Sequence, residues 1–278
     1  MGRGFSEFKG KVAVVTGGAS GIGRGLAERF IDEGMQVVIA DIERDALDRT
    51  AAEIGALAIQ TDVSDAASVA ALADAAHSRF GAVHVVCNNA GIGSFGRIRD
   101  LTLADWQWMI NVNLWGVIHG VHHFLPLLLE NPEGGWIVNT ASMGGLAAFP
   151  GLGAYATTKF GVTALSETLA QELAQDEVPV GVTVLLPGPV RSNLGRSLRN
   201  RPADLAAGTL ADADLESLPQ YRDRLPWKTP AQAAEVVITA MREGALYAVT
   251  HPELVERVFN RTQGIVQAFG YQAEFSPK

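Results

Sequence analysis

Short apolar, β-branched runs recur along the chain, at Val12 to Val15, Val37 to Ile39, Val83 to Val86, Trp136 to Val138 and Val180 to Leu186. Each is followed by a longer, alanine-rich stretch with helical character. Runs that stay apolar at successive positions suit strands covered on both faces, and their alternation with helices calls for a parallel sheet between two helical layers. The pattern therefore predicts an α/β, doubly wound fold. One stretch, about 192–229, has neither strand nor helix periodicity; it holds Pro202, Pro219 and Pro226, several Arg and Asp, and scattered leucines. A long irregular segment inside a compact domain is usually functional, so it is read as a helical lid inserted after the sixth strand.

At 278 residues the chain is near the upper size one hydrophobic core supports, and it is read as a single domain over 1–278. Lys and Arg total 22 against 30 Asp and Glu, a formal net charge of -8. That balance argues against nucleic acid as a partner, which needs basic surface. Proline or charged residues are expected to interrupt each apolar stretch before the ~18 residues of a membrane-spanning helix, so no membrane partner is expected. Cys87 is the single cysteine and no internal disulfide can form. The start Met1-Gly2-Arg3-Gly4-Phe5-Ser6 lacks a signal peptide's apolar core, so a cytoplasmic location is expected. Glycine is abundant, 30 of 278 residues or about 11% against a usual ~7%.

The placement of those glycines matters more than their number. The first strand runs into Thr16-Gly17-Gly18-Ala19-Ser20-Gly21-Ile22-Gly23, and a helical pattern begins at once with Arg24, Leu26, Ala27 and Phe30. Such a turn lets the backbone approach a pyrophosphate at the amino end of a helix. The spacing departs from the general Gly-x-Gly-x-x-Gly fingerprint, but the context of strand before, helix after and a second strand ending in Ala40-Asp41 points to a dinucleotide site of the Rossmann kind. Asp41 can accept hydrogen bonds from the adenosine ribose hydroxyls and would repel a 2'-phosphate, which favours NAD over NADP. Ser20 before Gly21 removes one phosphate partner; Arg24 and Arg44 nearby pull the other way. Capping of the helix that starts near Glu43 is the other reading of Asp41.

Further on, Tyr155-Ala156-Thr157-Thr158-Lys159 puts a phenol and an ammonium four residues apart on one helix face. With this pair the chain resembles a short-chain dehydrogenase/reductase. The signs occur in order over most of its length: Thr16 to Gly23, Asp62-Val63, Asn88-Asn89-Ala90-Gly91, Asn113, Ser142, Tyr155 with Lys159, and Pro187-Gly188-Pro189-Val190. The resemblance implies an oxidoreductase acting on CH-OH groups, interconverting a secondary alcohol and a ketone. The residue types make chemical sense by themselves. A tyrosine of pKa ~10 is a poor base near neutrality, and the charge of Lys159 favours its ionised form. Ser142 would hydrogen-bond the substrate oxygen. By resemblance, Lys159 also holds the nicotinamide ribose and Asn113 anchors a water linking Lys159 to solvent. Gly17, Ser20, Gly21, Ile22, Gly23, Asp41 and Ile42 are expected at the pyrophosphate and adenosine, and Asp62 and Val63 at the adenine. Asn89, Ala90 and Gly91 are expected by the riboses, and Pro187, Gly188, Val190 and Ser192 by the nicotinamide. Many relatives have threonine where Ser192 stands.

His119, His122 and His123 share a helix face but no carboxylate is interleaved, so no metal site is assigned. Cys87 is read as core, and Trp106 and Trp108 as packing or interface aromatics. The helix over Leu114 to Leu129 is apolar nearly all round. Relatives use it, with the helix starting near Gly153, to form dimers and tetramers; a homotetramer is expected, a dimer the alternative. Phe95, Met143, Phe149, Leu152, Leu194 and Leu198 are expected to line a hydrophobic substrate pocket. The loop Gly91 to Gly96 and the tail Ala245 to Phe269 are similar to bacterial members that oxidise bulky benzylic carbinols. Hydroxysteroids or other alicyclic alcohols are the alternative substrates, and a non-catalytic dinucleotide sensor is the rival class of function. A sensor has no need of Ser142, Tyr155 and Lys159 together.

Overall fold

The computed structural model describes residues 4–206, 208–217, 222 and 226–270. The apolar runs become strands β1 (Val12–Thr16), β2 (Gln36–Asp41), β4 (Val85–Asn88), β5 (Gly135–Thr140) and β6 (Val180–Leu186), joined by β3 (Leu57–Gln60) and β7 (Tyr247–Val249). All pair in parallel, in the order β3-β2-β1-β4-β5-β6-β7. The order reverses between β1 and β4, and this opens a crevice at their carboxyl ends. The weak signal of β3 has a physical reason: it is an edge strand with every residue at least partly exposed. β7 is only three residues long.

Successive strand residues point to opposite faces, and each face carries its own helical layer. Ala13, Val15 and Ile39 pack with α1 (Gly21–Asp32), α2 (Arg44–Ile54) and α7 (Pro230–Glu243). Val14, Val38, Val86 and Ile137 pack with α3 (Ala66–Phe80), α5 (Gly116–Glu130) and α6 (Gly153–Gln175). This is the doubly wound α/β fold that the alternation predicts. Cys87 is fully buried in the first layer, and burial pushes its thiol pKa up.

α5 is continuous with α4 (Leu103–Ile110) through one π turn, Asn111–Trp115, in which the Gly116 N–H donates to the Asn111 carbonyl. The resulting helix of 28 residues is long and apolar enough, by length and composition, to cross a membrane. The expectation that proline or charge interrupts every apolar stretch therefore fails between Asp105 and Pro126, where asparagine, glutamine and histidine are the only polar breaks. In the fold this stretch is a core helix, with Trp108, Met109, Val117, Phe124 and Leu128 buried.

Among its described residues the 192–229 segment is helical in short pieces, with Arg222 at a helical position. Its described residues form short 3-10 turns at Leu194–Asn200, Ala203–Leu205 and Leu215–Ser217, the first kinked at Arg196. Pro219 and the other positions among 207, 218–221 and 223–225 lie outside the described residues. The segment is pinned to α4 by a buried ion pair: Arg201 Nη1 donates to Asp105 Oδ1 at 2.6 Å while its guanidinium lies over the Trp108 ring. The other carboxylate oxygen accepts from the Thr209 N–H (3.0 Å) and the Thr102 N–H (2.9 Å), the latter closing the cap of α4. Burial alone would raise the Asp105 pKa, but these donors outweigh it and hold the carboxyl well below the ordinary carboxylate range.

Breaking one side of such a pair strands a buried charge. Asp105→Asn is expected to lower stability by about 3 kcal/mol, roughly 6–12 °C in Tm, while Asp105→Leu combined with Arg201→Met loses less than half as much. The contribution of Asp105 is present above the ordinary carboxylate pKa and is lost as pH falls below it. Calorimetric melts of the three proteins at neutral and acid pH check both statements.

Candidate active site

The β1–α1 turn is built for close approach of backbone. Gly17 and Gly21 have φ of +66° and +54°, and a Cβ on Gly17 would lie 2.8 Å from Ala90 Cα. Ser20 stands at the N-cap of α1 without a capping bond from its side chain, and no acidic residue sits in the first turn. The helix thus presents its amino end to the crevice uncompensated, which fits a pyrophosphate. Thr16 ties the turn to the neighbouring strand: its Oγ accepts from the N–H of Asn89 (2.9 Å) and Ala90 (3.1 Å) and donates to the Cys87 carbonyl. Asn89 in turn donates to the Thr16 carbonyl and accepts from Thr140 Oγ at the end of β5.

Asp41 ends β2 and faces the same crevice. Its two oxygens accept from the N–H groups of Ala19 (3.2 Å) and Glu43 (3.1 Å), while burial, the larger effect, raises its pKa. The arginines near it in sequence are engaged elsewhere, Arg24 with Glu28 and Glu53 and Arg44 with Asp48, and neither lines the cleft. The cation at this rim is Arg199 from the 192–229 segment, ion-paired with Glu43; Asn200 Nδ2 donates to the same carboxylate at 2.9 Å.

At the other end of the crevice, α6 places Tyr155 and Lys159 one turn apart. The phenol is pushed up in pKa by burial and drawn back by a hydrogen bond with Ser142. Ser142 is held in place by the Gly144 N–H, which donates to its Oγ at 3.0 Å. Lys159 Nζ donates to the Thr140 carbonyl at 2.8 Å and lies 5.6 Å from the centre of the Tyr155 ring. Burial lowers its pKa from 10.5 to about 8. Asn113 sits inside the π turn, fully buried. Its Oδ1 accepts from the Ile92 N–H (2.8 Å), and its Nδ2 donates to the Ile92 carbonyl (2.9 Å) and Met109 Sδ (3.1 Å). Both ends of the amide are thus engaged in fixing the 89–92 loop, whose Gly91 leaves the space between Asn113 and Lys159 open.

A cleft of about 170 Å3 joins Asp41 to Tyr155 and Lys159, whereas Ser142 and Asn113 stand behind its wall. Gly17, Ser20, Gly21, Ile22, Asp41, Ile42, Asp62, Val63, Asn89, Ala90, Gly91, Pro187 and Ser192 all line it, together with Tyr155 and Lys159. Gly23, Gly188 and Val190 stand behind its wall: a Cβ on Gly23 would meet the Gly17 carbonyl at 2.1 Å, so that glycine serves packing within the turn. Val190 pairs with Lys228 instead. The apolar lining also differs from expectation. Only Leu194 of the six expected pocket residues reaches the cleft, with Ile92, Trp108 and Val112 beside it. Leu152 and Leu198 pack behind Tyr155, Met143 is buried in another cluster, Phe95 pairs with Ala211, and Phe149 lies under Arg257. Trp108 is therefore more than a packing aromatic, and periodicity alone could not tell which helical face the 192–210 segment would fold back onto. His119 bonds the Val63 carbonyl at 2.9 Å and stacks on Trp115.

Residues 11–203 match the family model for short chain dehydrogenases. The chain is similar to SadH of Mycobacterium tuberculosis, 36% identical over 247 residues and 86% of each chain. It is similar to the C alpha-dehydrogenase of Sphingobium sp. strain SYK-6, 32% identical over 275 residues, 95% of this chain and 88% of that one. A short-chain dehydrogenase/reductase from Burkholderia phymatum, crystallised in complex with NAD, superposes with a TM-score of 0.89 at 36% identity, covering 99% of each chain. The chain belongs to the short-chain dehydrogenase/reductase family, oxidoreductases that use NAD(P).

Lys159 gives this site a pH signature. Its folded pKa of about 8 lies below 10.5, so the folded protein releases this proton first and the unfolded chain then holds more protons. Stability of the wild type relative to Lys159→Met is therefore expected to rise through that window, by up to about 1.4 kcal/mol per pH unit. Denaturant unfolding at pH 7.5 and 10 measures the difference; a flat or falling difference would mean that Lys159 keeps its proton in the folded state.

Proposed function

We propose that the protein is an NAD-dependent secondary-alcohol dehydrogenase that interconverts a bulky, apolar, aryl-carbinol-like alcohol and its ketone. The observation that carries this reading is the buried Tyr155, bonded to Ser142 with Lys159 one turn away, at the apolar end of a cleft whose other end holds Asp41. Tyr155 takes the carbinol proton, and Ser142 donates to the substrate oxygen as charge gathers on it. Lys159 supplies the positive charge that makes the phenolate accessible. Asn113 locks Ile92 and with it the loop beneath the reacting centre. Bound NAD supplies the hydride acceptor. Gly17, Ser20, Gly21 and Ile22 hold its pyrophosphate, Asp41 and Ile42 its adenosine ribose, Asp62 and Val63 its adenine, and Asn89, Ala90, Gly91 and Lys159 its riboses. Pro187, Gly188, Val190 and Ser192 shape the nicotinamide end. The 192–229 segment acts as the lid.

The likeness to a C alpha-dehydrogenase and the apolar wall of Ile92, Trp108, Val112 and Leu194 support the substrate class. The NAD complex of the Burkholderia relative and the carboxylate of Asp41 support the cofactor. The protein is further proposed to act in the cytoplasm as a homotetramer, through a helical face on which Trp115 and Leu129 are exposed; light scattering on the purified protein tests the assembly.

Turnover is tested by following reduced cofactor with 1-phenylethanol-type alcohols, steroid alcohols and sugars. Aryl carbinols are expected to give the highest kcat/KM, and a preference for sugars would overturn the substrate class. Tyr155→Phe is expected to keep NAD binding and lose at least about 100-fold in kcat. NAD is expected to outperform NADP by about tenfold in kcat/KM, with the gap narrowing in Asp41→Ala; equal efficiencies in the wild type would overturn the cofactor reading.

A further inference from the structure

His251 follows β7 and has no exposed surface, yet its ring is bonded on both sides. Nε2 lies 2.7 Å from the Pro226 carbonyl, which can only accept, so the ring proton resides on Nε2. The Gly188 N–H donates to Nδ1 at 3.2 Å, sharing its hydrogen with Thr250 Oγ at 3.1 Å, and Thr250 Oγ lies 2.6 Å from Nδ1. With Nδ1 as an acceptor for Gly188 and Thr250, the ring is neutral. Gly188 is pressed against the imidazole so closely that a Cβ there would lie 2.7 Å from His251 Cγ. Pro226 opens the return arm of the 192–229 segment, and that arm pairs with the outgoing one: Lys228 N–H donates to the Pro189 carbonyl, and Arg191 N–H to the Lys228 carbonyl, both at 3.0 Å.

We propose that His251 is a positioning residue: as the neutral Nε2–H tautomer it fixes the Pro187–Gly188–Pro189 turn and the return arm of the lid together, and so sets the nicotinamide end of the cleft. The proposal rests on the reading above that this turn faces the nicotinamide. The charged groups near the ring are Glu253, on the turn that follows, and Lys228, on the return arm; burial, with Lys228, holds the ring pKa down against the Pro226 and Pro189 carbonyls and Glu253. A protonated ring would point a second N–H at the Gly188 N–H and lose that bond, with Thr250 Oγ and the Pro189 carbonyl left as its acceptors.

Two variants separate positioning from mere packing. His251→Leu fills the space without either bond, whereas His251→Gln offers a carbonyl to Gly188 and an amide N–H to Pro226. The leucine variant is expected to lose about tenfold or more in kcat at saturating NAD, and to be cut by trypsin within 191–229 several-fold faster; the glutamine variant recovers to within about threefold of wild type. Equal loss in both variants, or wild-type kcat in the leucine variant, would overturn the proposal. Ring nitrogen shifts of 15N-histidine-labelled wild type, assigned by comparison with the glutamine variant, test the tautomer even if the leucine variant fails to fold. A neutral Nε2–H form at pH 7 is expected, and a charged ring or a proton on Nδ1 would overturn the proposal. Because this readout needs no turnover, it stands apart from any failure of the dehydrogenase reading, which would show as absence of alcohol-dependent NAD reduction in the wild type.

Discussion

Lys159 donates to the Thr140 carbonyl from a site only 3% exposed, and burial there disfavours the ammonium enough to bring its pKa down to about 8. Much of the surrounding architecture supports that one placement. Thr140 ends β5, the strand beside β4 at the reversal of strand order, so the carbonyl that meets the ammonium lies at the crevice where parallel strands open. Burial acts on Tyr155 in the opposite sense, raising the phenol. Burial thus works against the charged form of both groups, yet a pKa of about 8 leaves Lys159 mostly protonated near pH 7 beside a neutral phenol.

Keeping that environment dry requires the walls to be rigid where they carry polar atoms. The Thr16, Asn89 and Thr140 side chains bridge the carboxyl ends of β1, β4 and β5, satisfying groups that would otherwise be stranded between strands. Asn113 does the same one layer further out, and the π turn accounts for its position: one extra residue in the helical repeat turns its amide inward onto Ile92. Asp105 lies on the same continuous helix and takes hold of the 192–229 segment through Arg201. The 192–229 segment over the cleft and the 89–92 loop beside Lys159 are therefore fixed to a single element.

What the sequence made legible follows the range of its signals. The glycine turn at 17–23, Asp41, and the Tyr155 and Lys159 pair are local patterns, and the strands carry them to the one edge where the sheet order reverses. Trp108, Ile92 and Arg199 were not legible as cleft residues: Trp108 reads as one more apolar position of a core helix, Ile92 as a loop residue after β4, and Arg199 arrives on a segment that has no periodicity of its own. Gly23 and Val190 show a subtler limit: position beside a functional motif does not say whether a residue faces the ligand space or supports its wall. The π turn left no mark either, since its residues Asn111 to Trp115 read as ordinary helix, and the extra residue is specified by the buried partners of Asn113 rather than by local propensity.

The charges around the Asp41 end of the cleft illustrate the same contrast and carry a physical consequence. Arg24 and Arg44 are close to Asp41 in sequence, yet in the fold their guanidinium groups pair with carboxylates on α1 and α2 and contribute no free cation to the cleft. Arg199, more than 150 residues away, reaches the rim but arrives already paired with Glu43, whose pKa that contact lowers. The local sum of Asp41, Glu43 and Arg199 is thus one net negative charge when both carboxyls are ionised. A group bearing two extra negative charges at this place would have to detach Arg199 from Glu43 and leave two carboxylates facing it. A neutral pair of ribose hydroxyls needs only the acceptors that Asp41 already presents. That difference supports the proposed preference for NAD on grounds the isolated Asp41 signal could not supply.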